Sequence, residues 1–152
     1  TLASRAGSRT VPLADFYRGY KKDVRRADEL IAAVAWPKPA AGARSSFYKL
    51  GRRKGDAITI TGVAVSLAVD RGVCTRARIA LGAVAPVVLR ARAAEAMLEG
   101  QRLTAELVAA AAARAAGEAS PIDDIRASAA YRRHTVEVLA RRLLGSAWQA
   151  GS

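Results

Sequence analysis

The amino-acid sequence predicts an α+β fold, in which a three- to four-stranded antiparallel sheet is followed by three helices that pack on one face of that sheet. Two observations lead to this prediction. In the middle of the chain, larger apolar residues alternate with small ones, which is the pattern of a half-buried strand. After Pro86 the alternation ends and an alanine-rich sequence with helical spacing begins. Strands followed by helices are typical of an α+β domain.

A proline-rich break divides the chain into two parts. Residues 29–36 form a plausible strand that Pro37 closes. Pro37 and Pro39 then interrupt both helical and strand hydrogen bonding. We place a domain boundary here, between residues 1–37 and residues 38–152.

The second part begins with three predicted strands. Ser45–Leu50 forms the first, and Gly51–Asp56 is a basic loop flanked by glycines. The strongest hairpin pattern follows, because Ile58–Val69 and Val73–Ala83 each place their larger apolar residues on one face. Asp70–Gly72 supplies the turn between them, since glycine readily adopts positive φ.

Three predicted helices follow the strands. The first covers Ala91–Glu99 and ends at Gly100. Thr104 caps the second, which runs through an alanine tract to Gly117. The third extends from about residue 126 to residue 144 and carries an apolar stripe along one side.

The composition fits a folded protein and excludes several functions. Hydrophobic residues make up 51% of the 152 residues, too many for a disordered tail. No apolar run reaches the roughly 20 residues that span a bilayer, and residues 1–10 lack the core of a signal peptide. We therefore expect a soluble, cytoplasmic protein without a membrane partner. One cysteine, Cys74, and one histidine, His134, are too few for a zinc site or a Cys–His nucleophile pair, so we expect no metal site and no catalytic residue.

The net charge leaves two interpretations open. With 25 Lys and Arg against 13 Asp and Glu, the chain carries a formal charge of +12 at pH 7. Clustered cations favour a small basic binding module for nucleic acid or for an acidic partner protein. However, the cations are spread over four segments, mostly beside helical sequence, where a solvated helix face explains them. The binding module is therefore the alternative function, and a nucleic-acid partner is not expected.

Three stretches of sequence, in this order, carry a family resemblance. They are FYKLGRRKGD at residues 47–56, ARIALGAVAP at residues 77–86, and PIDDIRASAAYRR at residues 121–133. Together they resemble the C-terminal part of the FAD-binding medium subunit of the molybdenum hydroxylases, the family of xanthine dehydrogenase and aerobic carbon monoxide dehydrogenase. Residues 11–37 resemble the end of that family's flavin-binding domain. The resemblance covers residues 10–144.

The resemblance implies a fold like the CO dehydrogenase flavoprotein C-terminal domain and a role in a multisubunit FAD-dependent oxidoreductase of the xanthine dehydrogenase type. In that family a molybdopterin-binding large subunit oxidises the substrate and an iron-sulfur small subunit carrying 2Fe-2S centres relays the electrons. The flavin subunit passes them through FAD to an acceptor such as NAD. Residues 1–37 would then be the C-terminal end of the flavin-binding domain plus a linker, and residues 38–152 the flavoprotein C-terminal domain.

One departure from the family pattern limits what this chain does alone. The family holds the FAD pyrophosphate with two glycine-rich loops in its N-terminal subdomains, where free backbone amides bind phosphate oxygens. This sequence contains no such loop. The resemblance therefore implies a C-terminal piece of the subunit that is inactive alone, with FAD bound largely by the missing N-terminal region.

The resemblance also implies six cofactor-binding residues at the end of the first strand and in the basic loop. They are Phe47, Tyr48, Lys49, Arg52, Arg53 and Asp56. An aromatic ring of the strand would form an apolar wall against the flavin, while the alternative is packing in the core. Neighbouring residues of a strand point to opposite faces, so we expect one ring on each side.

The charged members of this set also have two interpretations. Lys49, Arg52 and Arg53 offer positive charge beside a reduced flavin or beside the phosphates of a dinucleotide acceptor. An exposed loop is also basic for solubility alone. Asp56 would anchor the loop through hydrogen bonds, or act as an ordinary turn carboxylate.

We assign structural roles to the third matching stretch. Asp124 or Ser128 would cap the last helix. An aspartate with an arginine two residues later, here Arg126, would pin the connection to the sheet. Tyr131 and Arg132 belong to the same structural group.

Overall fold

The structure, a computed structural model, describes residues 1–40, 42–53, 55 and 57–150. It divides into two compact units, Thr1–Pro39 and Ala40–Ser152. The division falls two residues after the boundary that the prolines predict. Each unit contains its own antiparallel strands.

The first unit consists of very short elements. They are β1 (Leu2–Ser4), β2 (Gly7–Arg9), α1 (Leu13–Phe16), β3 (Tyr17–Gly19), β4 (Lys22–Asp23) and β5 (Leu30–Ile31). These strands form a three-stranded antiparallel sheet in the order β2-β1-β5 and a separate β3-β4 pair. Strands this short bury little apolar surface, so polar contacts between them carry more of the unit's stability.

The strand predicted over residues 29–36 is shorter in the structure. Only Leu30 and Ile31 pair with β1. The next two amides, those of Ala32 and Ala33, both bond the carbonyl of Thr1 and do not continue the strand pairing. The apolar residues that follow therefore lie outside any strand.

A buried carboxylate holds the first unit together. Glu29 is 7% exposed, and its two oxygens accept from Nε and Nη2 of Arg9 at 2.6 and 2.8 Å. The backbone amide of Arg26 donates to the same carboxylate at 2.7 Å. The Arg9 hydrogen bonds, followed by the Arg26 amide, lower the pKa of Glu29 from its ordinary 4.5 to about 2.

We predict that the first unit loses stability in acid through Glu29. A carboxylate whose pKa is lowered by folding stabilises the folded state above its ordinary pKa, and this contribution disappears as the pH falls from about 4.5 towards 2. Amide hydrogen exchange in residues 2–31, measured across this pH range, should show the loss. Glu29→Gln should remove most of the pH dependence, whereas Asp28→Asn at the exposed neighbouring position should leave it intact. A pH dependence that Glu29→Gln leaves unchanged would contradict the assignment.

The second unit is built on a four-stranded antiparallel sheet. Its strands, in spatial and chain order, are β6 (Arg44–Leu50), β7 (Thr61–Asp70), β8 (Val73–Gly82) and β9 (Leu89–Arg90). The alternating apolar residues of the central strands are all buried: Val63, Val65, Leu67, Ala77, Ile79 and Leu81. The predicted α+β fold and the predicted hairpin are confirmed. Sequence analysis missed β9, because a two-residue strand has no pattern of its own.

A two-residue turn joins β7 to β8. Asp70 pairs with Val73, and the residues between them, Arg71 and Gly72, have φ angles of 48° and 82°. Two positive φ values in succession match the twist of a hairpin. A Cβ at Gly72 would also lie 2.7 Å from Nη1 of Arg102, so that side chain would have to move.

Three helices cover the buried side of this sheet. They are α2 (Arg92–Leu98), α3 (Ala105–Glu118) and α4 (Ala129–Gln149). α2 packs on β8 and α4 on β6 and β7, while α3 packs against both other helices. The small side chains of α3 therefore allow close approach between helices, not between helix and sheet as alanine content suggests. Within the part of the chain that the structure describes, no helix is long and apolar enough to cross a bilayer.

Side-chain caps define where two of these helices begin. The Thr104 hydroxyl accepts from the amide of Leu107 at 3.1 Å, as predicted for α3. The Ser128 hydroxyl accepts from the amide of Tyr131 at 3.1 Å, so Ser128, not Asp124, is the cap of α4. α4 therefore starts at Ala129, later than the residue 126 that the sequence predicts.

Carboxylates of α2 cover the outer edge of β8 where β9 has ended. Glu95 is 5% exposed and accepts from the amide of Ile79 at 2.8 Å, while both of its oxygens bond the guanidinium of Arg90 at 2.6 Å. One turn later, Glu99 accepts from the amide of Ala77 at 3.0 Å. Side chains of α2 thus satisfy strand amides that would otherwise lie unpaired at a sheet edge.

We predict that Glu95→Gln destabilises the second unit by about 1–3 kcal/mol, the range for hydrogen bonds to a charged group. The amide side chain can still accept from Ile79, but it cannot hold Arg90 through two charge-assisted bonds. Urea unfolding of the chain measures the loss. Glu137→Gln, an exposed carboxylate on α4, is the matched control and should change stability little. An equal loss in both variants would disprove this role for Glu95.

Candidate functional site

The end of β6 and the loop after it carry the predicted cofactor-binding residues. Lys49 lies in β6, and Arg52 and Arg53 lie in the loop. All three are exposed, and no carboxylate among the described residues forms an ion pair with them. Asp56 lies outside the described residues. These uncompensated cations create a positive potential that attracts an anion.

The two aromatic residues of β6 point to opposite faces of the sheet. Phe47 lies over Gly62 on the face away from the helices, beside Ala64 and Ala80, and is 65% exposed. Tyr48 points towards α4 and is 49% exposed. Neither ring is buried in the core, so the core-packing alternative does not describe them within this unit. The two rings cannot contact the same face of one ligand.

Tyr48 borders a largely apolar hollow between β6 and α4. The hollow has a volume of about 340 Å³. The residues that line it include Tyr48, Leu50, Tyr131, His134, Leu139 and Arg142. Such a cleft fits a planar ring, because its apolar wall excludes water from the face of the ring that packs on it. We name it the Tyr48 hollow.

A second hollow, lined by cations, adjoins the Tyr48 hollow. Its volume is about 550 Å³, and its walls include Lys49, Arg52 and Arg53. Tyr48 and Leu50 line both hollows. An apolar cleft for a ring therefore opens directly onto a basic surface suited to negative charge.

Sequence analysis did not assign the α4 side of the site. It gave Tyr131 a structural role, considered His134 only in excluding a metal site and a catalytic pair, and made no proposal for Arg142. Successive spacings of three and eight residues along a helix do place these residues on one face. That signal could have grouped them, but only the packing of α4 against β6 shows that this face meets Tyr48.

At the base of the basic loop, the backbone at Gly51 lies very close to Ala57. A Cβ added at Gly51 would lie 2.8 Å from the Cβ of Ala57. Immediately inside, the carbonyl of Leu50 accepts from the amide of Ile60 at 2.8 Å. The two ends of the loop are thus held together before the strand pairing of β6 with β7 begins.

A buried arginine ties the end of the loop to α4. Arg132 is 3% exposed, and its Nη1 donates to the carbonyls of Ile60 and Ala83. Its Nη2 donates to Asp124 at 2.8 Å. Asp124 also accepts from the amide and the guanidinium of Arg126 at 2.8 and 2.6 Å. The predicted pairing of Asp124 with Arg126 is present, but Arg132 is the residue that reaches the sheet.

These contacts fix the charge state of the connection before α4. The backbone amide of Arg126, together with the guanidinium of Arg132, holds the pKa of the Asp124 carboxyl well below its usual range. Asp124 therefore stays ionised wherever the protein is folded near neutral pH. Three residues after Arg132, the hydroxyl of Thr135 lies 2.8 Å from that of Thr61, and this buried pair adds a second contact between α4 and β7.

The remaining candidate residues do not form a reactive centre. Cys74 is buried, and burial raises the pKa of its thiol, which disfavours the reactive thiolate. Within the described residues, no group of three His, Cys, Asp or Glu side chains could hold a metal ion. The chemistry that the site supports is binding of an anionic, planar group.

Comparison with known proteins places the chain in a family. The family model described as the CO dehydrogenase flavoprotein C-terminal domain matches residues 46–147. The chain belongs to this family. The match begins in β6 and ends in α4, so it includes the described residues that are predicted to bind the cofactor, both hollows and Arg132.

Individual relatives agree with this assignment. The carbon monoxide dehydrogenase medium chain of Hydrogenophaga pseudoflava is 33% identical over 93% of this chain and 49% of its own length. The nicotinate dehydrogenase FAD-subunit of Eubacterium barkeri is 32% identical over 93% of this chain and 49% of its own length. A solved carbon monoxide dehydrogenase from H. pseudoflava, which lacks the Mo-pyranopterin moiety of its cofactor, superposes with a TM-score of 0.92 at 36% identity, over 97% of this chain and 51% of that chain. The chain thus spans about half the length of the curated relatives it matches.

We predict that Gly51→Ala disrupts the base of the loop in this flavoprotein domain. The φ angle of Gly51 is not positive, so the cost comes from the clash with Ala57 and amounts to about 1–3 kcal/mol, as for other overpacked sites. The double variant Gly51→Ala/Ala57→Gly removes the clashing atom and should recover most of the stability. Urea unfolding of both variants and of Ala57→Gly alone measures this. A double variant no more stable than Gly51→Ala would show that the contact with Ala57 is not the cause.

Proposed function

We propose that this chain is the C-terminal part of the FAD-binding subunit of a molybdenum hydroxylase and forms one wall of its flavin site. Family membership and the names of its relatives support this proposal. The observation that carries it is the position of Tyr48, where an apolar hollow meets a surface with three exposed cations. An isoalloxazine ring is planar and apolar in part, and it carries a pyrophosphate on its side chain.

The residues of the chain fit part of this cofactor and not all of it. Tyr48 and the apolar residues of the hollow suit a ring, and Lys49, Arg52 and Arg53 suit negative charge beside it. The chain has no glycine-rich loop whose amides could bind the pyrophosphate. We therefore propose that FAD is anchored largely by polypeptide outside this chain.

FAD, when bound, supplies the electron transfer between iron-sulfur centres and an acceptor. The residues of this chain orient the flavin ring and shield it from water. Tyr48 and Leu50 keep water from one side of the ring, and the three cations lower the energy of negative charge that develops beside them. No residue of the chain needs to donate or accept a proton in this role.

The partners proposed for the complete subunit follow from the family. They are a molybdopterin-binding large subunit and an iron-sulfur small subunit with 2Fe-2S centres, with NAD as one acceptor. The first unit of the chain is proposed to be the end of the flavin-binding domain. The cytoplasmic location stays a prediction. Of the two functions that the sequence leaves open, family membership supports the flavoprotein over the basic binding module.

We predict that Lys49→Ala and Arg52→Ala, in the complete subunit assembled with its partners, slow electron delivery to the acceptor by about tenfold, equivalent to about 1.4 kcal/mol of barrier. Reduction of the enzyme by substrate at the molybdenum site should change much less, because these cations lie on the acceptor side of the electron path. Stopped-flow mixing of dithionite-reduced enzyme with NAD⁺ measures the first step, and anaerobic mixing of oxidised enzyme with substrate measures the second.

Arg141→Ala, which removes an exposed cation from α4 away from both hollows, is the matched control. It should leave both steps unchanged. Equal losses in the two steps for Lys49→Ala, or a loss of the same size in Arg141→Ala, would refute the role of the basic loop.

A further inference from the structure

Arg132 is an unusual residue for the interior of a small domain. It is 3% exposed, and among the described residues its Nε has no hydrogen-bond partner. Its one carboxylate partner, Asp124, is shared with Arg126. Replacing a buried ion pair by apolar residues is often neutral or stabilising, so stability alone is a weak reason for an arginine here. A better reason for this arginine is that its guanidinium binds two backbone carbonyls of the sheet.

Two of its bonds, both from Nη1, go to backbone carbonyls at the open end of the central hairpin, opposite the turn. One is Ile60, directly before β7, and the other is Ala83, directly after β8. Ala83 has a φ angle of 62°, a strained value for a residue with a Cβ. A planar guanidinium donates in fixed directions, so both carbonyls have to keep their positions relative to α4.

Ile60 connects Arg132 to the basic loop. Its amide is held by the carbonyl of Leu50, and its carbonyl is held by Arg132. The next residue, Thr61, is tied to Thr135 by the buried hydroxyl pair. Both backbone groups of one residue and the side chain of the next are therefore fixed at the place where the loop returns to the sheet.

The same turns of α4 also line the Tyr48 hollow. Tyr131, His134 and Thr135 form part of its wall, and Arg132 lies between them in the sequence. The segment of α4 that shapes the apolar hollow thus also sets the position of the cationic loop. We propose that Arg132 is a positioning residue that holds the basic loop at a fixed distance from the Tyr48 hollow, and that Thr135 assists it. Its effect on electron transfer rests on the proposed function.

The test is Arg132→Lys in the complete FAD subunit assembled with its partners, compared with Arg133→Lys at the exposed neighbouring position. Lysine keeps the charge, but its single ammonium group cannot span two carbonyls and a carboxylate. Hydrogen exchange measured by mass spectrometry should be about tenfold faster in the peptide covering residues 51–60, with exchange in α3 unchanged. Arg133→Lys should exchange like the parent protein.

A second readout separates positioning from a general loss of stability. After reduction by dithionite, the Arg132→Lys enzyme should need about tenfold more NAD⁺ for half-maximal reoxidation, at a temperature where it is fully folded. Thr135→Val removes the hydroxyl pair while keeping the shape of the side chain, and it should change loop exchange in the same direction by a smaller factor.

The outcomes are distinct. Loop exchange that stays at the parent rate in Arg132→Lys overturns the inference. If that variant fails to fold, Thr135→Val decides, and unchanged loop exchange in Thr135→Val overturns it. Faster loop exchange with unaltered reoxidation supports the positioning role and contradicts the proposed function of the loop, which Lys49→Ala tests independently.

Discussion

The packing of one sheet face against a helical layer is the constraint on which the second unit depends. Alternation along β7 and β8 places most of their larger apolar side chains on this face, and the helices bury Val63, Val65, Leu67, Ile79 and Leu81. The same alternation in β6 decides where Phe47 and Tyr48 point. Because α4 leaves a gap beside β6, Tyr48 lines an open hollow on the helical side. The candidate site is therefore a place where the helical layer covers its sheet incompletely.

Local signals predicted most of this fold, and non-local contacts account for what was missed. The hairpin, the Thr104 cap and the helices follow from patterns within a few residues. By contrast, β9 exists only because two residues pair with β8, and of residues 29–36 only Leu30 and Ile31 pair with β1. For the site, the motif around Lys49 identified one wall. The other wall depends on how α4 approaches β6, which no pattern within a single element encodes.

Charged side chains from α4 and from α2 and its C-terminal cap bond the strand backbone where strand pairing ends. Glu95 and Glu99 bond amides at the edge of β8, and Arg132 bonds carbonyls where β7 begins and β8 ends. Each is a partly or fully buried charge that costs desolvation energy, and each satisfies a backbone group that would cost a similar amount if left unpaired. Such contacts add little net stability, but they specify one register between helix and sheet. The shape of the hollows follows from that register.

Under the proposed function, this chain contacts the flavin ring of FAD, whereas other polypeptide holds the pyrophosphate. Under that function, glycine-rich loops outside this chain hold the pyrophosphate, since this sequence has none. The wall formed by Tyr48 and the cations then adds little to affinity. It acts on the part of the cofactor where electrons arrive and leave, through exclusion of water and through fixed positive charge. Changes in this wall therefore alter reactivity while the cofactor stays bound, which allows acceptor preference to vary without loss of FAD.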